Sequence, residues 1–402
     1  MTQSSSTNLN ETPAHRDAGA GCSWILSPPV LQQPTATGMS IVWAVRGLAM
    51  GWVEYGPSPD SLIHRAEACE HGQVKISDRF LAVRIEGLSP GQRVHYRIGV
   101  IPLDFPSAYN IRPGQTEYSQ TDEFSTLNPD AATMSFAVIS DTHEQQPVID
   151  SIFEQLSIAQ PEVLIWNGDM FNSVSQPDQI VSQILNPSRY AYASHRPVVF
   201  GSGNHDVRGS YAGQLTQAIL PGSSSFGRCF ALRHGPVALI GLDTGEDKPD
   251  HHPAFAGLAR FEPYREAQAQ WLKETLERPD IASAAWVVVF THIPLWGRPG
   301  DNPGNTLTGY AFYSLHAQQC WHPLLEQHRI QLLISGHLHE HRYDAPDDQH
   351  SYPQIAVGAP QLSKATYLLA HIHEGLLEVT LIGVENQQVL GQWKLPPRAR
   401  QA

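Results

Sequence analysis

Apolar and polar residues alternate along this chain with two different rhythms. From residue 24 to about 128 the period is two. Met39, Ile41, Trp43 and Val45 share one strand face, and Val53 and Tyr55 continue that pattern before Gly56-Pro57. Leu81, Val83 and Ile85 alternate again, and after the turn at residues 87–91 so do Val94, Tyr96 and Ile98. Short strands separated by Gly and Pro turns predict an all-β sandwich over 24–128. Residues 102–120 contain Pro and Tyr and are expected to form a long loop before Phe124. Residues 1–23, polar and Ser-rich, are expected to be a disordered tail.

Near residue 130 the rhythm changes. Compact apolar runs appear at 135–139, 163–165, 197–200, 286–290 and 330–334, short enough to be buried strands. Val148, Ile152, Leu156 and Ile158 fall at helical spacing between the first two runs. An antiparallel insertion is expected over 228–243 and a helix near 264–278, and residues 353–394 are again strand-rich. Strands alternating with helices predict an α/β domain over 129–396.

Composition narrows the possible partners. With 402 residues, 41% hydrophobic and 16% charged, the chain is globular. A formal charge of −13 and the lack of a basic stripe argue against a nucleic-acid backbone as ligand. No apolar run approaches the roughly 20 residues of a membrane helix. The first residues hold no apolar core of a secretory signal, so the expected location is cytoplasmic, with export by another route as the alternative. Cys22, Cys69, Cys229 and Cys320 are scattered; they read as buried thiols, or at most two bridges. Oligomeric state has no signature.

The chemistry gathers where the apolar runs end. Asp141-Thr142-His143, Gly168-Asp169, Gly203-Asn204-His205-Asp206, Thr291-His292 and Gly336-His337-Leu338-His339 each follow one of them. In open α/β sheets the ligand site lies beyond the carboxyl ends of the strands, so five distant segments would meet in one cavity. Singly each has a plainer explanation: a turn-forming Asp, a hydrogen-bonded core His, an ordinary Gly-Asn turn. Together they form a set of carboxylate, imidazole and amide oxygen, which suits Mn, Fe, Zn or Co better than Ca or Mg. A bridging carboxylate holds two such cations about 3.5–4 Å apart, and Asp169, beside a permissive Gly, is placed for it. Among other residues, His251 and His252 lie in a polar loop, His341 is a candidate for the pocket mouth, and Arg298 for a phosphate clamp. No nucleophile elbow or P-loop is present.

These five motifs, in this order, resemble the calcineurin-like metallophosphoesterases. The resemblance implies a four-layer α/β/β/α sandwich and two divalent metal ions. It implies a first ion on Asp141, His143 and His339, a second on Asn204, His292 and His337, and Asp169 bridging them. It leaves His205 off the metals, facing the phosphate to stabilise the transition state or protonate the leaving oxygen, with Asp206 orienting His205 or nearby backbone. A metal-bridged hydroxide would attack phosphorus of a phosphomonoester or phosphodiester, a small-molecule substrate. The alternative is a non-catalytic scaffold that kept the fold for protein binding. With its Leu88-Ser89-Pro90-Gly91 turn leading into Tyr96, the sandwich over 24–128 resembles a fibronectin type III domain, and a sandwich ahead of a metallophosphoesterase domain is similar to purple acid phosphatases. Those enzymes carry Gly where this chain has His143, and a metal-binding Tyr where it has Asn172, so no purple colour is expected. The first domain is expected to support or rim the site, and loops 102–120, 207–227, 245–262 and 296–312 to set its width.

Overall fold

The computed structural model describes residues 23–219, 226–298, 301 and 313–398. Nearly all of the expected tail, most of the 296–312 loop, part of the 207–227 loop, and Cys22 lie outside the described residues.

The period-two region folds as two antiparallel sheets. One holds strands Val30–Gln32, Met39–Ala44 and Phe80–Ile85; the other is built on Ala49–Gly56 and Arg93–Ser107. Met39, Ile41, Trp43, Val53, Leu81, Val83, Ile85, Tyr96 and Ile98 point between them, as the alternation predicts. The 102–120 loop is corrected: Arg93–Ser107 runs straight through Pro102, and Asn110–Pro113 folds back on it as a hairpin. A proline ends a strand only where its missing N–H is needed. Pro102 serves through its carbonyl, which accepts from Gly114 N at 2.9 Å.

The following region stacks two six-stranded sheets. The first contains β1 (Ser135–Ile139), β2 (Val163–Asn167) and β3 (Val198–Gly201) in parallel. The second contains an antiparallel hairpin, β4 (Phe230–His234) and β5 (Val237–Leu242), the insertion foreseen over 228–243. Beyond β5 lie β6 (Trp286–Thr291) and β7 (Leu332–Ser335), parallel to it and to each other. Short strands β8 (Arg342–Asp344) and β9 (Gln354–Ala356) complete that sheet. The chain then returns to the first sheet with β10 (Thr366–His373), β11 (Leu376–Gly383) and β12 (Val389–Leu395).

Phe136, Val138, Ile165, Leu239, Val288, Phe290 and Ile334 fill the space between the sheets. Helix α1 (Gln146–Ala159) covers the outside of the first sheet, and α2 (Phe261–Glu277) and α3 (Leu315–Gln327) cover the second, which makes the α/β/β/α layering. Helix α1 begins with Pro147 in its first turn, where no N–H is missed. It ends on Gln160 in the left-handed region, the usual stop. Its buried face is Val148, Ile149, Ile152, Phe153 and Leu156; Ile158, assigned to that face by spacing, is 73% exposed. Six residues beyond Ile152 is 240° of rotation at 100° per residue, which carries the side chain off the stripe.

The two regions pack tightly. Strand Met39–Ala44 is buried on both faces, because Val42 and Ala44 press on Ile180, Ile184 and Leu185. Tyr96 donates its hydroxyl proton to the carbonyl of Ser194 at 2.7 Å, and Ser194 Oγ donates to Pro29 O at 2.8 Å. No described helix is long and apolar enough to cross a membrane. Cys69, Cys229 and Cys320 are free, and Cys69 is exposed rather than buried.

Candidate metal centre

The carboxyl ends of β1, β2, β3, β6 and β7 meet at one rim of the two sheets, and every candidate ligand lies within four residues of one of them. Backbone bonds lace these loops together. Asp141 N donates to Gly168 O (3.1 Å), His143 N to Asp169 O (3.0 Å) and Gly336 N to His292 O (2.8 Å). Asp141, His143, Asp169, His337 and His339 all have φ between 43° and 71°. Left-handed backbone is costly for a side chain with Cβ, about 1–3 kcal/mol, and persists where the surroundings enforce it. The glycines are fitted too. A Cβ on Gly168 would sit 2.6 Å from His292 Nδ1, and one on Gly336 would collide with Ser140 Oγ and Asp141 Oδ2.

The side chains form two overlapping clusters: Asp141, His143, Asp169 and His339 in one, Asp169, His292 and His337 in the other. Asp169 Oδ2 lies 3.5 Å from His143 Nε2 and 3.2 Å from His292 Nε2, so one carboxylate oxygen faces both. Asp141 Oδ1 is 3.5 Å from His339 Nε2, and both Asp141 oxygens accept from the His337 N–H (2.9 and 3.0 Å). Asn204 Oδ1 lies 3.0 Å from His337 Nδ1.

Metal ions fit this donor set. His292 Nδ1 donates to Asn167 O at 2.8 Å, since a carbonyl can only accept. The lone pair of Nε2 therefore faces the Asp169 carboxylate, and Nε2 and Asn204 Nδ2 are buried without a hydrogen-bond partner. His143 Nε2 and His339 Nε2 converge to 2.9 Å, a contact that needs a proton or a cation between them. In the metal-free protein a proton takes that place on His292. Burial lowers its pKa, but Asp169 and Asp141 outweigh burial and raise it to about 10. Burial pushes Asp169 up, yet His292, His205 and His143 together hold it below the usual carboxylate range. Burial, helped by the charge of Asp169, raises Asp141 to about 7. Burial and the neighbouring histidines take His143 down to about 4.

His205 and Asp206 part company. His205 is partly buried and lines the cavity; its Nδ1 donates to Asn172 O at 2.8 Å. Asp206, expected to orient His205 or nearby backbone, orients backbone. Its carboxylate is fully buried and accepts four backbone N–H groups, from Asp169 (2.8 Å), Met170 (3.0 Å), Phe171 (3.2 Å) and Gly203 (2.9 Å). It fixes the backbone of two ligand loops and does not touch the His205 ring.

The cavity over the clusters measures about 600 Å³ and is lined by His143, Gln145, Asp169, Asn172, Asn204, His205, His337, Leu338, His339, Pro360 and Gln361. The N-terminal sandwich lines none of it and packs on the helical layer of the first sheet, so of the two expected roles, supporting or rimming the site, it does not take the second. A larger cleft of about 1370 Å³ lies between the sandwich and residues 213–264, but it holds none of the candidate ligands, and the chemistry belongs to the smaller cavity. His251, His252 and Arg298 lie off the cavity; His252 caps a short turn at Ala254 N, and Arg298 Nε is 3.9 Å from Asp344. His341 lines an adjoining groove of about 570 Å³ that shares Leu338, His339 and Gln361 with the cavity.

Three features escaped the sequence reading. Asn167 ties the sheets, with its carbonyl on His292 and its Nδ2 donating to Thr291 O at 3.0 Å. Arg208 reaches His205, and Glu246 and Asp247 hold Arg208. The place of Arg208, three residues after His205, was the available signal.

Comparison with known proteins agrees with this fold. A family model described as calcineurin-like phosphoesterase matches residues 134–341. An acid phosphatase of Aspergillus ficuum is 28% identical over 72 residues, which cover 18% of this chain and 10% of that protein's length. Among solved structures, the purple acid phosphatase from yellow lupin (Lupinus luteus) seeds superimposes with a TM-score of 0.65 at 12% identity, covering 91% of this chain and 73% of that one. GAP50, the anchor in the inner membrane complex of Plasmodium, superimposes with a TM-score of 0.50 at 14% identity, covering 67% of this chain and 91% of that one.

Proposed function

Because the chain belongs to the calcineurin-like phosphoesterase family, we propose that it hydrolyses phosphoric esters at a dinuclear metal centre. The observation that carries this reading is the shared position of Asp169 between two ligand clusters in one cavity. Asp141, His143 and His339 would hold one ion, Asn204, His292 and His337 the other, and Asp169 both. Divalent cations bound there would acidify a water and neutralise charge developing on the phosphoryl group.

The protein's own groups supply the rest. The Asn167 carbonyl keeps the His292 Nε2 lone pair turned inward. Asp206 holds the loops that carry Asp169 and Asn204. His205 keeps Nδ1–H on the Asn172 carbonyl, so Nε2, which lies 3.2 Å from Arg208 Nη1, is the atom that would exchange that contact for a phosphoryl or leaving oxygen. As placed, Nε2 is an acceptor, and it has to take up a proton before it can donate to a leaving group. A cavity of about 600 Å³ with an adjoining groove of about 570 Å³ supports small phosphomonoesters or phosphodiesters as substrates.

The test is hydrolysis of p-nitrophenyl phosphate and bis-p-nitrophenyl phosphate by chelator-stripped protein reloaded with Mn, Fe, Zn, Co or Mg. Activity that returns with a transition metal is the expected result, and the ratio of the two substrates assigns monoesterase or diesterase. Two ions bound per chain with no turnover of either substrate would favour the scaffold alternative.

A further inference from the structure

Arg208 is held in a fixed fork. Its Nε donates to Glu246 Oε1 at 2.8 Å, and its Nη2 donates to Glu246 Oε2 at 2.7 Å and to Asp247 Oδ1 at 2.8 Å. Both acids are buried, each 2% exposed. A bidentate guanidinium–carboxylate pair of this kind sets the plane and direction of the fork. The remaining arm points at the site: Nη1 lies 3.2 Å from His205 Nε2. Since His205 Nδ1 donates to Asn172 O, its Nε2 carries the lone pair and accepts from Arg208. The imidazole is thus gripped at both nitrogens, by the backbone that follows Asp169 and by Arg208 of its own loop after β3, which the acids after β5 hold.

We propose that Arg208 is a positioning residue for His205. Glu246 and Asp247 aim its Nη1, and Nη1 fixes the imidazole plane until Nε2 exchanges that contact for a phosphoryl or leaving oxygen. The claim rests on the assignment of His205 as the phosphate-facing residue. Arg208 is absent from the cavity lining, so it acts through His205 and not by its own contact with substrate.

A double-mutant cycle tests this, with R208Q, R208K, H205A and H205A/R208Q reloaded with metal and checked for two ions per chain. The readouts are the dissociation constant of inorganic phosphate, by calorimetry, and kcat and KM where turnover exists. R208Q is expected to weaken phosphate and lower kcat about 10- to 100-fold, as for other residues that orient a site group, with KM changed little. R208K, which keeps the charge but not the fork, is expected to fall with R208Q. In the H205A background R208Q is expected to add nothing. Losses that multiply in the double variant would mean that Arg208 acts directly or through the fold, and would overturn the proposal. Wild-type behaviour of R208Q, or of R208K, would overturn it as well. If the wild type turns over no substrate, the phosphate cycle still decides the role of Arg208. If the loaded wild type does not bind phosphate, the reading of His205 fails and this proposal with it.

Discussion

Between the two sheets, Phe136, Val138, Leu239, Val288 and Ile334 are apolar, fully buried and extended. Burial of such side chains contributes about 1.5–3 kcal/mol each. A few residues further along the same strands the character inverts. The chain turns left-handed at Asp141, His143, Asp169, His337 and His339, buries carboxylates, and aims imidazole lone pairs at them. The interior is complete by itself, whereas the rim converges carboxylates and imidazoles on a place for positive charge. A stable core of this size can offset the cost of a rim organised for a ligand.

Changes at the rim and in the core are therefore expected to fail differently. The largest effect is expected at Asp169. D169A should abolish binding of two ions, read by elemental analysis, and lower activity on the order of 1000-fold or more. H205A should lower turnover about 100- to 10 000-fold while both ions stay; loss of metal in H205A would place His205 among the ligands. D206A is different in kind, since four backbone N–H groups would lose their acceptor. We expect a loss on the order of 3 kcal/mol or more in chemical denaturation, and a stable D206A would show that those bonds matter little.

Proton binding separates rim from core further. His292 has a folded pKa of about 10, above its unfolded value. Its contribution to the chelated protein is fully present below about pH 6.5 and is lost as pH rises towards 10. The melting temperature of chelated protein is expected to fall from pH 7 to 10 more steeply than that of metal-loaded protein, where a cation replaces that proton. Parallel curves would contradict the assignment of His292. The smallest effect is expected at α1: I158K should change stability by less than about 0.5 kcal/mol, and L156A should cost about 2–5 kcal/mol.

Much of this was legible in the sequence because strand periodicity and strand-end chemistry are local signals. The runs before Asp141, Asp169, Asn204, His292 and His337 announced both the sheets and their loaded ends. Contacts made across the fold were not legible. The resemblance left Asp206 between His205 and nearby backbone, and nothing beside it in the sequence shows that the backbone amides of Asp169, Met170 and Phe171 take its carboxylate; Arg208 likewise meets Glu246 and Asp247 from distant positions in the chain. The second buried face of Met39–Ala44 was hidden because alternation reports one core, and Val42 and Ala44 serve another. The course of the chain through Pro102 was missed because a proline marks a break only when its N–H would have been used.

The most direct test of the central claim is anomalous diffraction from crystals loaded with Mn. The account predicts two peaks about 3.5–4 Å apart, with Asp169 between them and His205 on neither. A single peak, or two peaks that do not share Asp169, would contradict it.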